Sequence, residues 1–219
     1  MNHILKFIIV FQSFWGYSTL SQDCGPYKAP CEAFINQNRL PVVSPQQTSL
    51  WCWAASAQSI FRYYGYEMEQ SVIVKQTLGN TYNISATAYM MIMMLNTKYT
   101  DRYGRKFRVR TPKIYDGFSW LSANPYLLSN IGATPMNNND IISALNNGRP
   151  LMMGTQTHAV MLTAMSYYKV NEFVSPVSGW ILDPYPDYYY PQKAIGLRQL
   201  TPDEMTAFFM ADVIVYNNW

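Results

Sequence analysis

The apolar residues of this 219-residue chain change period part-way along, and that change limits the folds open to it. Before Pro150 the spacing is helical. Cys52, Ala55, Ser56, Ser59, Ile60, Tyr63 and Tyr64 recur at i, i+3, i+4, i+7 and i+8, which predicts a helix over 50–64 with one buried face. Thr48 or Ser49 is placed to cap that helix and Gly65 to end it. Shorter helices follow over 68–78, ending at Gly79, over the Met-rich stretch 86–95, capped by Ser85, and over 141–146, opened by Asn139 or Asp140 and stopped by Gly148. From Pro150 onward the pattern is that of strands, over 150–154, 158–168, 179–182 and 212–216. Thr201-Pro202-Asp203-Glu204 reads as a capping box, so a helix over 202–210 is expected before the last strand. Helices first and strands later imply a segregated α+β fold, not alternating βαβ units.

Composition narrows the function classes. The chain is 49% hydrophobic and 13% charged, enough to bury a sizeable core. A net charge of +3 argues against a general nucleic-acid binder, and no apolar run reaches the ~18–20 residues that span a bilayer, so stable membrane insertion is not expected. Lys98, Arg102, Arg105, Lys106, Arg108, Arg110 and Lys113 crowd one stretch. The alternation in Lys106-Phe107-Arg108-Val109-Arg110 favours a solvated hairpin over a patch for anionic partners. Three cysteines and two histidines are too few for zinc fingers or most Cys/His metal sites, and no cofactor is called for.

Residues 1–21 have the layout of a secretory signal peptide. Lys6 precedes an apolar stretch, Phe7-Ile8-Ile9-Val10-Phe11, and small residues stand at Thr19 and Ser21, placing the cut before Gln22. The alternative is a buried N-terminal strand or helix. Residues 22–45, with Pro26, Pro30, Pro41 and Pro45, read as an extended lead-in to a domain at 46–219. Export puts the cysteines in an oxidising compartment, where the chain would be secreted, periplasmic or at the cell surface. Cys24 and Cys31 can close a small Gly/Pro-containing loop there, which leaves Cys52 unpaired. Removal of the leader removes His3 as well, so His158 would be the one histidine left. Any Cys/His chemistry must then pair Cys52 with His158.

Position supports that pairing. Cys52 falls in the first turn of the predicted helix, where unsatisfied N–H groups and the macrodipole favour a thiolate over a buried, inert thiol. His158 opens an apolar strand and can hold the proton of Cys52 and later give it to a leaving amine. Asp183 ends the strand Gly179-Trp180-Ile181-Leu182. A hairpin between 158 and 183 would return it to His158, where it can orient the imidazole, although Asp-Pro is also a common turn start. An oxyanion would find the Cys52 N–H and the side-chain amide of Gln46, or of its neighbour Gln47. Tyr185-Pro186-Asp187-Tyr188-Tyr189-Tyr190-Pro191 follows at once and can shield the Asp–His pair or form a stiff surface turn, whereas Trp53 and Trp180 read as core. Asn83-Ile84-Ser85 is a glycosylation sequon if a eukaryote makes the chain.

The run from Pro45 to Gln58, with its Gln-x5-Cys-Trp-Ala spacing and Tyr63-Tyr64-Gly65 after it, resembles the active-site segment of papain-like cysteine peptidases. The bacterial branch that includes the AvrRpt2-type and C39-like peptidases is the nearest in pattern. Leu145 to Pro150, then Thr157-His158-Ala159-Val160, then Trp180 to Pro184 resemble the rest of the pattern in order. The resemblance implies two lobes, a helical one carrying the nucleophile helix and an antiparallel β lobe carrying His and Asp, with a cleft between them. It implies Cys52 as nucleophile, His158 as base and acid, Asp183 as orienting residue, Gln46 as oxyanion donor, and a protein or peptide as substrate. Papain-type enzymes use Asn as third member, and Asp fits the bacterial branch. The stretch 98–135 matches no motif of the pattern, and 22–45 is too short for an inhibitory pro-segment. The same triad can serve acyl transfer or amide cleavage, as in transglutaminases and deamidases, and a degenerate scaffold can serve binding alone.

Overall fold

The structure, a computed structural model, describes residues 24–25, 28–117, 125–155, 157–185, 196–207 and 209–217. The expected leader and most of the Tyr-rich run at 185–191 lie outside these residues.

The fold is α+β. One mixed sheet has the order β5 (Thr134–Pro135), β4 (Lys113–Asp116), β10 (Phe209–Asp212), β6 (Leu151–Gly154), β7 (Ala159–Val170), β8 (Phe173–Asp183), β9 (Gly196–Gln199). Only β4 and β5 run parallel; the other pairs are antiparallel. β7 is the longest strand. Its first half pairs with β6, its second half pairs with β1 (Cys31–Phe34), and β8 lies along its other edge. The lead-in is therefore woven into the sheet, with Ala33 and Ile35 fully buried. A disulfide joins Cys24 to Cys31, and the Lys169 N–H donates to the Cys24 carbonyl (2.7 Å), so this loop is fastened to the far end of β7. A second sheet, β11 (Ile214–Tyr216), β3 (Lys106–Arg110), β2 (Lys98–Thr100), contains the expected hairpin, whose apolar members Phe107 and Val109 point inward.

Five helices are described: α1 (Cys52–Tyr63), α2 (Gln70–Leu78), α3 (Ala88–Met94), α4 (Pro125–Ile131) and α5 (Asn138–Asn146). α1 begins two residues later than its periodicity suggests, and neither Thr48 nor Ser49 caps it. Gly65 (φ 88°) follows its end in the left-handed region that glycine adopts without strain. The helix is buried nearly all round instead of on one face, because it packs on β7 and is flanked by α2. The three alanines at 54, 55 and 57 allow that close approach. Phe61 packs its ring against Tyr99 (5.1 Å) and Phe107 (5.4 Å), which ties α1 to the second sheet. α3 starts at a Thr87 cap, not at Ser85, and buries Met91 and Met94 as core filler. α5 begins three residues before the expected start, capped by Asn137 and not by Asn139 or Asp140, because Asn137 and Asp140 form a complete capping box.

Two further expectations fail. The helix over 202–210 is absent: 202–205 make only turns and β10 begins at Phe209. The box contacts do form, with Thr201 Oγ1 accepting from the Glu204 N–H (3.4 Å) and the Glu204 carboxylate accepting from the Thr201 N–H (2.9 Å). The turn cannot propagate because β10 is needed as an inner strand, hydrogen-bonded to β4 on one edge and β6 on the other. Two ladders outweigh one cap. Trp180 is the second: it is 37% exposed rather than core, on β8 opposite Ala164, which itself stands opposite Phe34.

One contact fixes the helix to the sheet. The fully buried Ser56 hydroxyl donates to the Ala159 carbonyl (2.8 Å), across 103 residues of sequence. Ser56→Ala leaves that carbonyl without its buried donor and is expected to destabilise the fold by about 1–3 kcal/mol in urea unfolding. A loss below a few tenths of a kcal/mol would show that the contact is not structural.

Candidate functional site

The chain before α1 is irregular, so its placement depends on side chains from elsewhere. Asn83 supplies most of it: its Oδ1 accepts from Thr48 Oγ1 (2.7 Å) and the Leu50 N–H (3.0 Å), while its Nδ2 donates to Ser49 Oγ (3.0 Å). Trp51 and Trp53, on either side of Cys52, donate their indole N–H groups to the Tyr82 and Ile84 carbonyls (3.0 and 3.1 Å). From α2, Gln70 donates to the Pro45 carbonyl (2.9 Å) and accepts from the Gln47 N–H (2.8 Å). These contacts hold Cys52, the free and partly exposed cysteine, as the first residue of α1.

His158 sits at the tip of the β6–β7 hairpin. The Thr155 hydroxyl accepts from the His158 N–H (3.1 Å) and donates to its carbonyl (3.1 Å), and the Thr155 N–H donates to the same carbonyl (2.8 Å). The antiparallel pairing of β7 with β8 sets Met161 opposite Leu182 and so brings Asp183 back beside His158, as the hairpin expectation requires. Nε2 of the ring is 2.6 Å from Asp183 Oδ1. The Cys52 side chain lies near enough to act on the same ring and favours its charged form. The structure thus brings Cys52, His158 and Asp183 together.

Burial works against charge on the imidazole, but the hydrogen bonds and charges of Asp183 and Cys52 outweigh it, and the His158 pKa is pushed up to about 9. Burial likewise opposes the Asp183 carboxylate. Its bond and attraction to His158, the Tyr185 N–H (2.8 Å) and Arg198 pull its pKa down to about 2. At neutral pH the pair is an imidazolium facing a carboxylate. Tyr185 also sets its ring edge-on to the imidazole, with centroids 5.8 Å apart.

Gln46 is buried beside the loop, and its N–H donates to the Pro184 carbonyl (2.9 Å), next to Asp183. Its side-chain amide donates to the Thr48 and Ser49 carbonyls (3.0 and 2.8 Å), and its buried Oε1 has no hydrogen-bond partner among the described residues. Neither donor is free as the chain stands. Gln47 is exposed. Among the described residues, no group of three or more His, Cys, Asp or Glu side chains is placed to hold a metal ion.

The sequence reading gave no site role to four residues, Arg198, Glu204, Asn83 and Gln70. Arg198 Nε donates to Asp183 Oδ2 (2.7 Å), and its two terminal nitrogens donate to both oxygens of Glu204 (2.7 and 2.6 Å). Glu204 was legible only as the acid of a capping box. Gln70 carried no signal and Asn83 only that of a sequon, because a strut is recognised by its distant partner and not by its neighbours in sequence.

No protein-family model matches the chain, and no curated protein sequence does. Among solved structures, the chain is similar to the peptidase domain of Streptococcus ComA, a bi-functional ABC transporter of a quorum-sensing pathway. The identity is 11%, the TM-score 0.40, and the match covers 80% of this chain and 97% of that one. It is also similar to UfSP from C. elegans, at 11% identity and a TM-score of 0.48, over 93% of this chain and 36% of that one. The chain therefore spans about a third of the length of the latter.

The charge pair has a definite pH signature. The folded imidazole titrates above its ordinary 6.5, so its contribution to stability is complete below about pH 6.5 and is lost as pH rises through about 9. The Asp183 contribution is present above its ordinary 3.8 and is lost as pH falls towards about 2. Asp183→Asn removes the carboxylate that holds the proton on the ring, and the imidazole should then titrate lower, by about one pH unit or more, in proton NMR. An unchanged titration in that variant would show that Asp183 does not govern the ring.

Proposed function

We propose that this chain is an exported, papain-like thiol peptidase that hydrolyses peptide bonds through a thioester. The observation that carries the reading is the His158 ring bonded to Asp183 Oδ1 (2.6 Å), with the Cys52 side chain acting on the same imidazole. The Cys24–Cys31 disulfide agrees with an oxidising compartment, and among the described residues no helix is long and apolar enough to cross a membrane.

The steps follow from the charges. The Cys52 thiolate attacks the scissile carbonyl carbon; the S–C bond forms as the C=O π pair moves onto oxygen. That oxyanion lies at the N-terminus of α1, where first-turn N–H groups have no intrahelical partner. Gln46 acts as second donor once it releases the Thr48 or Ser49 carbonyl. The orphaned Oε1 suits a side chain with a second position to take. The imidazolium gives its Nδ1 proton to the leaving amine, and the C–N bond breaks to leave a thioester on Cys52. The neutral imidazole then takes a proton from water, whose oxygen attacks the thioester. The acid is released and the thiolate–imidazolium pair returns. Asp183 keeps Nε2 protonated throughout and stabilises the ring's charge.

Two measurements test the reading. On a peptide library, Cys52→Ala should lower turnover by on the order of a thousandfold or more, and iodoacetamide should label Cys52 alone. Turnover that persists in Cys52→Ala would sink the proposal. Turnover should also fall on the alkaline side as the ring deprotonates near pH 9. Capture of the acyl group by added amines in preference to water would favour acyl transfer on the same triad. Alkylation with no turnover of any acyl substrate would favour a binding module.

A further inference from the structure

We infer that Arg198 and Glu204 form a positioning clamp, which fixes the orientation of Asp183 and balances the charge it presents to His158. The inference rests on the triad reading of Cys52, His158 and Asp183. Its geometry is that of a relay of alternating charge. Asp183 divides its two oxygens: Oδ1 faces His158 Nε2 (2.6 Å) and the Tyr185 N–H (2.8 Å), and Oδ2 faces Arg198 Nε (2.7 Å). A carboxylate held at both oxygens cannot rotate about its last bond, so the lone pair that meets the imidazole stays aimed at it. The guanidinium is held in turn. It makes a two-point contact with Glu204 (2.7 and 2.6 Å) and a third with the Gln199 carbonyl (3.1 Å). Glu204 is anchored by the Thr201 N–H and hydroxyl (2.9 and 3.0 Å).

The strands explain why Arg198 arrives there. In the β8–β9 ladder Arg198 stands opposite Ile181, two residues before Asp183, so the guanidinium and the carboxylate share a sheet face. Gly196, opposite Asp183 itself, brings no side chain. Only 17% of the Arg198 and 19% of the Glu204 side chain is exposed, so these charges are little screened, unlike those of a surface pair. Among the described residues, the titratable groups facing the ring are Cys52 from α1, Asp183 from β8 and the Tyr185 phenol after it, with Arg198 of β9 and Glu204 behind Asp183.

The order of signs gives the clamp a signature that a merely structural pair lacks. Arg198 is a cation on the far side of Asp183 and opposes charge on the imidazole; Glu204 offsets Arg198 and supports it. The test is histidine proton NMR on the full chain, with the His3 signal identified by His3→Gln. Arg198→Met should raise the His158 titration by about one pH unit, because it removes a cation and leaves Glu204 unbalanced. Glu204→Gln should lower it by about half a pH unit. The double variant should return close to the parent value, and Arg198→Lys, which keeps the charge without the fork, should shift it less than Arg198→Met does. Should Arg198→Met fail to fold, Glu204→Gln and Arg198→Lys decide. Titrations that stay put in the single variants, or move in the same direction in both Arg198→Met and Glu204→Gln, overturn the clamp. The measurement needs no turnover, so its failure and that of the peptidase reading are separate: activity surviving in Cys52→Ala would end the latter and leave the titration shifts standing.

Discussion

The register between β7 and β8 is the constraint on which the site depends. His158 and Asp183 are 25 residues apart, and nothing local brings them together. Met161 opposite Leu182 does so, and a slip of one residue would turn Asp183 to the other face of the sheet. That register shifts at Ser166/Tyr167 and shifts back at Leu162/Ala164 before it reaches the site. β7 is bonded along both edges, to β6 and β1 on one side and β8 on the other, and the Asn171 turn (φ 53°) closes its far end. Cys52, the proposed nucleophile, comes from α1, and the Ser56–Ala159 contact measures that helix against β7 one residue from His158. Each member of the proposed triad is thus placed by contacts made elsewhere in the chain.

Electrostatics add what the backbone cannot. A lone carboxylate buried beside an imidazole would lose charge to desolvation, and a lone imidazolium would do the same. Each keeps its charge because the other is there. The Glu204 carboxylate, whose pKa lies at about 2, and Arg198 extend the alternation outward to less buried surroundings. Gln46 gives its side-chain N–H groups to main-chain carbonyls, while its own side-chain carbonyl finds no partner among the described residues. A buried orphan of this kind costs free energy that a change of partner would recover.

Scarcity made the core of the site legible in the sequence. With so few cysteines and histidines, an unpaired Cys52 at a helix start and His158 at a strand start left little choice, and strand spacing returned Asp183 to them. Glycines gave the helix ends, as Gly65 and Gly79 (φ 88° and 77°) bear out. The failures share one cause. Thr48 and Ser49 look like caps, yet they are engaged by Asn83; Thr201 and Glu204 look like a helix start, yet ladder pairing stops the helix and Arg198 takes the carboxylate. Local chemistry named what these side chains are able to do, and a partner distant in sequence decided which of those things they do.

Asn83 carries a last consequence. It belongs to the triplet Asn83-Ile84-Ser85, the acceptor signal for N-linked sugar. Its amide nitrogen already donates to Ser49, three residues before Cys52. Oligosaccharide is attached through that same nitrogen, so a copy produced in yeast, insect or mammalian culture and modified there would carry a bulky, hydrated branch where this buttress stands. Material from a bacterial host and material from such cultures would then differ at the mouth of the site, although their polypeptides are identical.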